Sequence, residues 1–429
     1  MARIVVIGAG PMGLAAAHRA VTLGHDVELI EADHKVGGMA AHFDFSGLSI
    51  ERFYHFVCMS DTPTFELMDE LGIGDRMRWV NTRMGYFTHG KLHRWGDPIA
   101  LLLYPHLNLI EKFRYGLQVF LTTRARNFEA IEDLTSRQWF ERGSGKSVYR
   151  KLWQRLQELK FYELADDISA SWIATRIRRI GRSRQSLFKE RLGYIDGGSE
   201  TLVEAIADAI RAKGGRIHLK TPVQQVLTEN GRVTGVLAGG TTYPADAVIS
   251  TVPTPLVSAI VPDLPQASKD MYAAIRNIGV VCVLFKLKQS VTPNFWLNII
   301  EPDIDIPGII EFSNLRPVGD SVVYVPYYMP VTQPKWGWSD QQFIDESFAY
   351  LKRINPTITD ADLKDARVGR LKHAQPICEP NFYAKIPPIE TPIAGLQIAD
   401  TCYYYPEDRG IAESIRLGRR MAEALPRAS

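Results

Sequence analysis

The sequence predicts an α/β protein in which one lobe carries a parallel sheet flanked by helices and a second, α+β lobe is interleaved with it. Three separated segments lead to this prediction: a strand, glycine-rich turn and helix at the start, a helix and strand hairpin in the middle, and a short strand before the last helix. Strands that alternate with helices are typical of a parallel sheet. The predicted first lobe is 1–52 + 192–252 + 391–429, and the predicted second lobe is 53–191 + 253–390.

The chain begins with a buried strand, a glycine-rich turn and a helix. Residues 4–7 are a continuous apolar run, as in a central parallel strand, and the Ala-rich residues 14–23 are predicted to be helical. Between them, Gly8 permits a tight turn, Gly10 lets the backbone approach a pyrophosphate, and Gly13 lets helix and strand pack closely. The phosphates would then lie against free N–H groups of the helix. The pattern predicts a dinucleotide site whose binding residues are Gly8, Gly10, Pro11, Met12 and Gly13.

A second strand, predicted over 27–31, ends in an acid that indicates how a ribose is held. Glu31 lies 18 residues after Gly13 and is placed to accept hydrogen bonds from an adenosine ribose hydroxyl. An acid at this point disfavours a 2′-phosphate. Beyond it, Gly37 and Gly38 allow a second close backbone approach, which the longer flavin dinucleotide needs and a nicotinamide dinucleotide does not. The binding residues predicted here are Glu31, Ala32, Gly37, Gly38 and Met39.

This arrangement resembles the N-terminal signature of the FAD-dependent amine oxidase, protoporphyrinogen oxidase and carotenoid (phytoene) desaturase superfamily. The resemblance lies in Glu31 followed by Gly37-Gly38, and it continues in residues 51–55, which read Glu-Arg-Phe-Tyr-His. Met39 stands where many members of the superfamily carry Arg or Lys. The resemblance implies FAD as the cofactor. It also implies a Rossmann-like FAD-binding domain of the glutathione-reductase type, interleaved with a substrate-binding domain.

The middle segment again combines strands with a helix. Residues 202–212 carry apolar side chains at every fourth position and are predicted to be helical. Two predicted strands follow, joined by Asn230-Gly231, a strong hairpin signal, and 247–250 are predicted to form a further buried strand. The superfamily uses the same order for the middle piece of its FAD domain. The resemblance therefore implies that the backbone at Val223 meets the adenine.

The last segment is a short strand that ends in an acid and precedes a helix. Residues 395–400 form the predicted strand, Asp408 is a candidate for the helix N-cap, and Gly410 opens the helix. The resemblance implies that Asp400 contacts the ribityl or pyrophosphate part of FAD, and that the helix N-terminus faces flavin N1 and the C2 carbonyl. A helix dipole would stabilise the negative charge of reduced flavin there. The binding residues predicted in this segment are Asp400, Gly410, Ile411 and Ala412.

The stretches between the three segments are predicted to form the substrate lobe, helical in 53–191 and rich in strands in 253–390. Helices above one face of a sheet would enclose a deep pocket, the usual form of a small-molecule site. The residues predicted to act near the flavin are Tyr54, His55, Tyr404 and Arg409. For the first three, ordinary packing or hydrogen bonding is the open alternative, and for Arg409 it is a solvated surface position.

Charge is balanced over the whole chain but not along it. The sequence has 50 Lys+Arg against 48 Asp+Glu, a net charge of +2, which argues against a nucleic-acid partner. Residues 173–191 carry seven basic residues and one acid, which fits a solvated helix or a contact surface for anionic lipid or a phosphate-bearing substrate. With the apolar block 101–103, this segment raises the hypothesis of attachment to an anionic membrane surface. The predicted location is cytoplasmic, with peripheral attachment to the inner face of the membrane as that hypothesis requires.

Neither a metal site nor a second nucleotide site is predicted. The four cysteines lie far apart and have no spacing typical of zinc sites or of a disulfide framework. No other glycine-rich stretch has the dinucleotide spacing. Electrons are therefore predicted to leave through an external acceptor, either O2, a quinone or another redox partner.

The predicted function is that of an FAD-dependent oxidoreductase or desaturase. As the resemblance implies, it would pass a hydride to flavin N5, and the apolar, aromatic first part of the substrate lobe points to an apolar substrate of isoprenoid or lipid-linked type. One alternative is amine oxidation, which predicts an aromatic cage with nearby acids. A second is a flavin-dependent isomerase resembling UDP-galactopyranose mutase, in which arginines bind a sugar-nucleotide diphosphate. A flavin-binding protein without catalysis is the third.

Overall fold

The computed structural model describes residues 1–186 and 188–425. Helices and strands occur throughout these residues. The α-helices are α1 (Pro11–Thr22), α2 (Thr62–Glu70), α3 (Pro98–Leu103), α4 (Leu109–Arg124), α5 (Ser136–Gly143), α6 (Lys146–Tyr149), α7 (Arg155–Phe161), α8 (Ala170–Arg182), α9 (Ser199–Ala212), α10 (Val257–Ile260), α11 (Gln266–Ala273), α12 (Asp340–Ile354) and α13 (Ile411–Glu423). The strands are β1 (Arg3–Ile7), β2 (Asp26–Ile30), β3 (His42–Phe45), β4 (Leu48–Glu51), β5 (Met77–Val80), β6 (Met84–Thr88), β7 (Lys91–Trp95), β8 (Arg184–Ser186), β9 (Lys189–Glu190), β10 (Leu192–Ile195), β11 (Arg216–His218), β12 (Val223–Glu229), β13 (Arg232–Ala238), β14 (Thr241–Pro244), β15 (Ala247–Ser250), β16 (Asn277–Leu287), β17 (Trp296–Ile299), β18 (Gly308–Glu311), β19 (Ser321–Met329), β20 (Leu363–Pro376) and β21 (Leu396–Ile398).

A five-stranded parallel sheet forms the first lobe, in the order β11-β2-β1-β15-β21. Each of the three segments singled out in the sequence contributes at least one strand to it, and every pairing is parallel. Val5 and Val6 of the central strand β1 are fully buried although they point to opposite faces, because helices or other strands cover both faces of the sheet. The predicted α/β fold with an interleaved second lobe is confirmed.

Helix α1 begins at Pro11, earlier than the predicted start at residue 14. Proline suits the first helical position because the N–H group that it lacks would have no partner within the helix. Helix α13 packs against α1 at Gly418, where a Cβ would lie 2.2 Å from the carbonyl oxygen of Met12. Close backbone contact therefore joins the first and last helices of the chain.

A seven-stranded sheet in the order β20-β16-β19-β18-β17-β6-β7 forms the base of the second lobe. Most of 53–191 is helical, as predicted, but this stretch also supplies β6 and β7 to the sheet. Strand β6 is held there by parallel pairing with β17, a contact between distant segments that local sequence patterns do not contain. The long strand β20 was not predicted either, and it pairs along the edge of the sheet with β16.

Two contacts cross the predicted limits of the lobes. Leu67 and Met68 of α2 are buried in the same core cluster as Leu14 of α1 and Ile415 of α13. Strand β5 pairs with β10. Both α2 and β5 therefore pack on elements of the first lobe although they belong to 53–191, and the residue limits of the lobes stay a prediction.

Helix α4 turns polar residues inward and apolar residues outward. Its buried residues include Glu111, Gln118 and Thr122, and Glu111 pairs with Lys151 at 2.9 Å.

In the ranges that the structure describes, no helix has the length and apolar character to cross a bilayer. The α3–α4 apolar face consists of the exposed side chains of Leu102, Leu103, Leu109, Ile110, Phe113, Leu117, Phe120 and Leu121.

Candidate active site

A cavity of about 740 Å³ lies between the parallel sheet of the first lobe and the large sheet of the second. The N-termini of α1 and α13 both open into it, and neither helix has a side chain that caps its free N–H groups. Gly10 and Pro11 line the cavity at one of these ends, and Gly410 and Ile411 line it at the other. Two uncapped helix N-termini at one cavity favour a ligand with anionic or electron-rich groups at both ends.

The glycine-rich turn before α1 has no room for side chains. Gly8 has a φ of 95°, and a Cβ on Gly13 would lie 1.8 Å from the carbonyl oxygen of Gly8. A Cβ on Gly38 would lie 3.1 Å from the Cα of Gly10, so the second glycine-rich loop packs directly on the first. The cavity side of Gly10 is open among the described residues. A ligand can therefore approach this backbone closely, as the sequence predicted.

The carboxylate of Glu31 lies beside this turn. It accepts hydrogen bonds from the backbone N–H of Ala9 at 2.6 Å and of Asp33 at 2.8 Å, and it lines the cavity. Each carboxylate oxygen can accept a further hydrogen bond, so Glu31 remains able to bind ribose hydroxyls. Asp33 in turn forms an ion pair with Arg52. Arg52 was not predicted as a binding residue, yet it lines the cavity together with Met39.

The last predicted segment brings Asp400 and the start of α13 to the cavity. One oxygen of Asp400 accepts from the N–H of Thr254 at 2.6 Å, and the other accepts from the N–H of Cys402 at 2.8 Å. The prediction that Asp408 caps α13 is wrong, because Gly410 occupies the N-cap. The carboxylate of Asp408 turns instead toward Arg176, with which it pairs at 3.1 Å.

The residues around the cavity fit FAD. The open glycine backbone and Glu31 would hold its adenosine and pyrophosphate part, and Asp400 with the free end of α13 would hold the flavin part. The residues predicted to bind the cofactor and found in the cavity lining are Gly8, Gly10, Pro11, Met12, Glu31, Gly38, Met39, Asp400, Gly410 and Ile411. The other predicted residues lie outside that lining: Gly13, Ala32, Gly37, Val223 and Ala412.

All four predicted catalytic residues line this cavity. Burial, followed by the neighbouring Tyr328, raises the pKa of Tyr54 well above its usual value. Burial lowers the pKa of His55 to about 4, so its imidazole is neutral at pH 7. Its buried Nδ1 has no hydrogen-bond partner in the described part of the chain. Tyr54 and His55 therefore offer neutral polar groups to a bound ligand.

Tyr404 and Arg409 are both tied to neighbouring elements. The hydroxyl of Tyr404 lies 2.8 Å from that of Ser414 in α13, a contact that fixes the loop before the helix. Arg409 donates hydrogen bonds to the carbonyl oxygen of Ala374 and, at 3.2 Å, to the hydroxyl of Tyr328. Arg409 is thus directed to the second lobe and does not occupy the solvated position considered as its alternative.

The basic segment 173–191 is neutralised at its centre by acids of other segments. Its three central arginines form ion pairs with acids of other segments at 2.7 to 3.1 Å. Arg182 donates to two backbone carbonyl groups near the end of α4. The structure therefore does not support a solvated helix or a free anionic-lipid surface at these four residues. The ion pairs join Arg176 to Asp408, Arg178 to Glu407, and Arg179 to Asp61.

Two further cavities adjoin the central one. The larger, of about 490 Å³, shares Phe56, Arg176 and Trp296 with it and extends to Leu101 and Phe120 in α3 and α4. Most of its other lining residues are apolar. The smaller cavity, of about 110 Å³, shares lining residues with both. An apolar path thus leads from the central cavity toward the α3–α4 apolar face, and the aromatic residues of the first substrate stretch were its sequence signal.

Known proteins resemble this chain in sequence and in fold. The family profile described as "Flavin containing amine oxidoreductase" matches residues 13–373. The 15-cis-phytoene desaturase of Arabidopsis thaliana is 24% identical over 440 residues, which cover 92% of this chain and 75% of that protein. An oxidoreductase from Methanosarcina mazei has a similar fold, with a TM-score of 0.74 and 18% identity over 99% of this chain and 100% of that one. So does cyclohexylamine oxidase from Brevibacterium oxydans, with a TM-score of 0.73 and 17% identity over 99% of this chain and 98% of that one. The chain belongs to the flavin containing amine oxidoreductase family and is an FAD-dependent oxidoreductase.

Proposed function

We propose that the protein dehydrogenates an apolar substrate and passes the electrons to an external acceptor. When bound, FAD supplies the hydride acceptor for this reaction. The observation that carries the proposal is the apolar cavity of about 490 Å³ that continues from the central cavity through Phe56 and Trp296. Burial of an apolar chain there would orient a C–H bond in the central cavity, and such orientation supplies a large part of catalysis.

Amine oxidation fits the same cavity less well. An aromatic cage is present, but the amine of Lys160 occupies it, 4.7 Å from the ring centre of Tyr328 and 5.2 Å from that of Trp172. The two acids at this end, Asp61 and Asp408, are already paired with arginines of α8. A substrate ammonium would therefore meet an excess of positive charge. The similarity to 15-cis-phytoene desaturase also favours dehydrogenation of a C–C bond.

Anaerobic flavin spectroscopy tests the proposed reaction. The FAD-loaded protein would be mixed without oxygen with polyprenyl lipids, with amines and with sugar nucleotides. Bleaching by a polyprenyl compound supports dehydrogenation, and bleaching by amines alone contradicts it. Turnover of a sugar nucleotide only after prior reduction would instead identify the mutase-like isomerase considered above.

Blocking the apolar path should slow this bleaching. Val119 of α4 lines the larger apolar cavity, whereas Leu117 on the same helix is 45% exposed and lies outside its lining. We expect Val119→Trp to lower the rate of flavin reduction by the apolar substrate at least about tenfold, because the indole fills the path. Leu117→Trp is the matched control and should react as the wild type does. Equal rates in the two variants would contradict entry by this path.

We also propose that the α3–α4 apolar face attaches the protein to an anionic membrane surface. Helices α3 and α4 contain one acid, the buried Glu111, while Arg114 and Arg124 are exposed beside the apolar side chains. An apolar face with basic residues is typical of a helix that lies in a membrane interface. The apolar path from the active site extends to this face, so a lipid-dissolved substrate could enter without crossing water.

Vesicle co-sedimentation tests this attachment. The variant Ile110→Asp/Phe113→Asp places two negative charges on the face and removes two apolar side chains. Because burial of those side chains in the membrane would stabilise binding, we expect at least about tenfold less binding to phosphatidylglycerol-containing vesicles. Leu256→Asp alters an exposed leucine elsewhere and is the matched control. Vesicles of phosphatidylcholine alone should bind the wild type more weakly. Wild-type protein that stays in the supernatant with both vesicles would remove the proposal.

A further inference from the structure

One end of the central cavity holds two basic side chains that form no ion pair with a carboxylate of the described residues. Lys160 and Arg409 both line the cavity, and both contact Tyr328. Every ion pair found for the neighbouring acids involves another residue: Asp408 pairs with Arg176, and Asp61 pairs with Arg179. The described residues thus provide no counter-ion within 4 Å of either Lys160 or Arg409.

These two basic side chains also have unused hydrogen-bond donors. An ammonium group has three N–H donors, and the described part of the chain offers Lys160 aromatic rings but no acceptor oxygen. A guanidinium group has five, of which Arg409 uses two, for the carbonyl of Ala374 and the hydroxyl of Tyr328. A donor set of this kind matches the oxygens of a carboxylate or a phosphate.

In the free protein, a positive charge on Lys160 is unfavourable. Burial, followed by the positive charges of Arg176 and Arg409, holds the pKa of Lys160 well below its usual value, and the charge of Asp408 offsets this only in part. A charged group that has lost its water and gained no counter-ion is unfavourable. An anion placed between Lys160 and Arg409 would remove this cost.

We propose that Lys160 and Arg409 bind a carboxylate or phosphate group of the substrate. This inference rests on the proposed function for the rest of the substrate, whose apolar chain would lie in the adjoining apolar cavities. Lys160 lines both the central cavity and the small apolar cavity, so it stands where a polar head would meet an apolar chain. The substrate is then an amphiphile, and neither a neutral hydrocarbon nor an ammonium compound uses these cations.

Binding of the anion should depend on pH through Lys160. The charged and titratable groups that face it are Arg176, Asp408, Arg409, the thiol of Cys378 and the phenol of Tyr328. The pKa of Asp408 lies below its usual value, where burial is outweighed by the nearby cations, and burial raises that of Cys378 well above its usual value, so neither changes charge near pH 7. The anion binds the protonated amine. Its affinity is therefore full below the pKa of Lys160 in the free protein and falls as the pH rises above it, and binding there takes up a proton.

Calorimetric titration of the oxidised, FAD-loaded protein tests the proposal without turnover. The probes are two matched pairs, farnesyl monophosphate with farnesol and oleate with oleyl alcohol, together with inorganic phosphate. We expect at least one anion to bind about tenfold or more tightly than its alcohol, as a charge-assisted hydrogen bond implies. Titration in buffers of different ionisation enthalpy should show proton uptake for that anion and none for the alcohol. The pair that shows the preference identifies the head group, and binding of inorganic phosphate alone would assign the site to the free ion.

Substitutions test whether the preference for the anion over its alcohol depends on Lys160. Lys160→Met keeps the length of the side chain without its charge and should abolish the preference, whereas Lys288→Met, at an exposed lysine elsewhere, should retain it. If Lys160→Met does not fold, the proton uptake of the wild type still decides the question. Equal binding of anion and alcohol by the wild type overturns the inference. If a neutral polyprenyl compound nevertheless bleaches the flavin, the proposed function stands and only the anion site falls.

Discussion

Replacing Glu31 with arginine is expected to yield a protein that does not retain FAD. The carboxylate of Glu31 lies at the end of β2, and its oxygens accept from the N–H groups of Ala9 and Asp33 while remaining open to the cavity. Arginine would remove the acceptors for the ribose hydroxyls and would place a second cation near Arg52. The flavin absorbance per protein after purification and gel filtration measures the loss.

A graded variant and a surface control make this result specific. Glu31→Gln keeps an acceptor oxygen and loses the charge, and since a hydrogen bond to a charged group is worth about 1.5–3 kcal/mol, we expect FAD affinity to fall about 10- to 100-fold. Glu229→Arg makes the same charge reversal at an exposed hairpin position and should leave FAD bound. A yellow, FAD-loaded Glu31→Arg protein would falsify the assignment of this acid to the cofactor.

Replacing Glu51 with glutamine is expected to cost about 3 kcal/mol of stability at pH 7, because breaking a buried ion pair leaves a charge without its partner. Glu51 is 2% exposed and lies where three segments meet. Its carboxylate accepts from the N–H of Ser199 at the start of α9 and lies 3.3 Å from Arg316 and 3.4 Å from His42. Glutamine would preserve the shape and leave the charge of Arg316 unpaired. Urea unfolding of wild type and variant measures the difference.

The pH dependence of this difference has a definite sign. Burial alone would raise the pKa of Glu51, but the hydrogen bond with His42 and the charges of His42 and Arg316 lower it from 4.5 to about 2. A carboxyl whose pKa is lower in the folded state stabilises the protein above its unfolded value and loses this contribution as the pH falls toward the folded value. The gap between wild type and Glu51→Gln should therefore shrink between about pH 5 and pH 2.

A double variant distinguishes loss of the ion pair from a nonspecific loss of stability. If the cost arises from the unpaired Arg316, adding Arg316→Met to Glu51→Gln should restore part of the lost stability, so that the two changes are not additive. Glu229→Gln, at an exposed position, should leave the free energy of unfolding within about 0.5 kcal/mol of the wild type. A stability gap that stays constant down to pH 3, or strict additivity, would contradict the role assigned to this pair.

Much of the cofactor site is predictable from the sequence because it is built from consecutive residues. The turn through Gly8, Gly10 and Gly13 needs glycine for local reasons: a positive φ at the first, open backbone at the second and close packing at the third. Glu31 is predictable because it comes at the end of a strand, and Gly410 because it opens a helix. Ten of the predicted binding residues line the cavity for this reason.

The substrate end is different, because its residues come from elements far apart in the chain. Tyr328 of β19, Lys160 near the end of α7 and Arg409 before α13 meet only when the large sheet packs over the first lobe. The seven-stranded sheet itself joins β6 to β17 across more than two hundred residues of chain. Hydrophobic periodicity and turn residues indicate single strands and helices, so they do not show which distant strands pair with each other.

By itself, the sequence predicted the α/β fold and a dinucleotide site, because strand, turn and helix signals depend on neighbouring residues, and its resemblance to a known superfamily implied FAD and the oxidoreductase class. The tertiary structure alone decided the state of the charges. A segment with seven basic residues proved to be neutralised at its centre, where Arg176 and Arg179 pair with Asp408 and Asp61. Lys160, a single lysine outside any motif, lies in the cavity without an ion pair to any described residue. Whether a charge is free or paired depends on which distant side chains lie within a few ångströms of it, and only the packed chain specifies that distance.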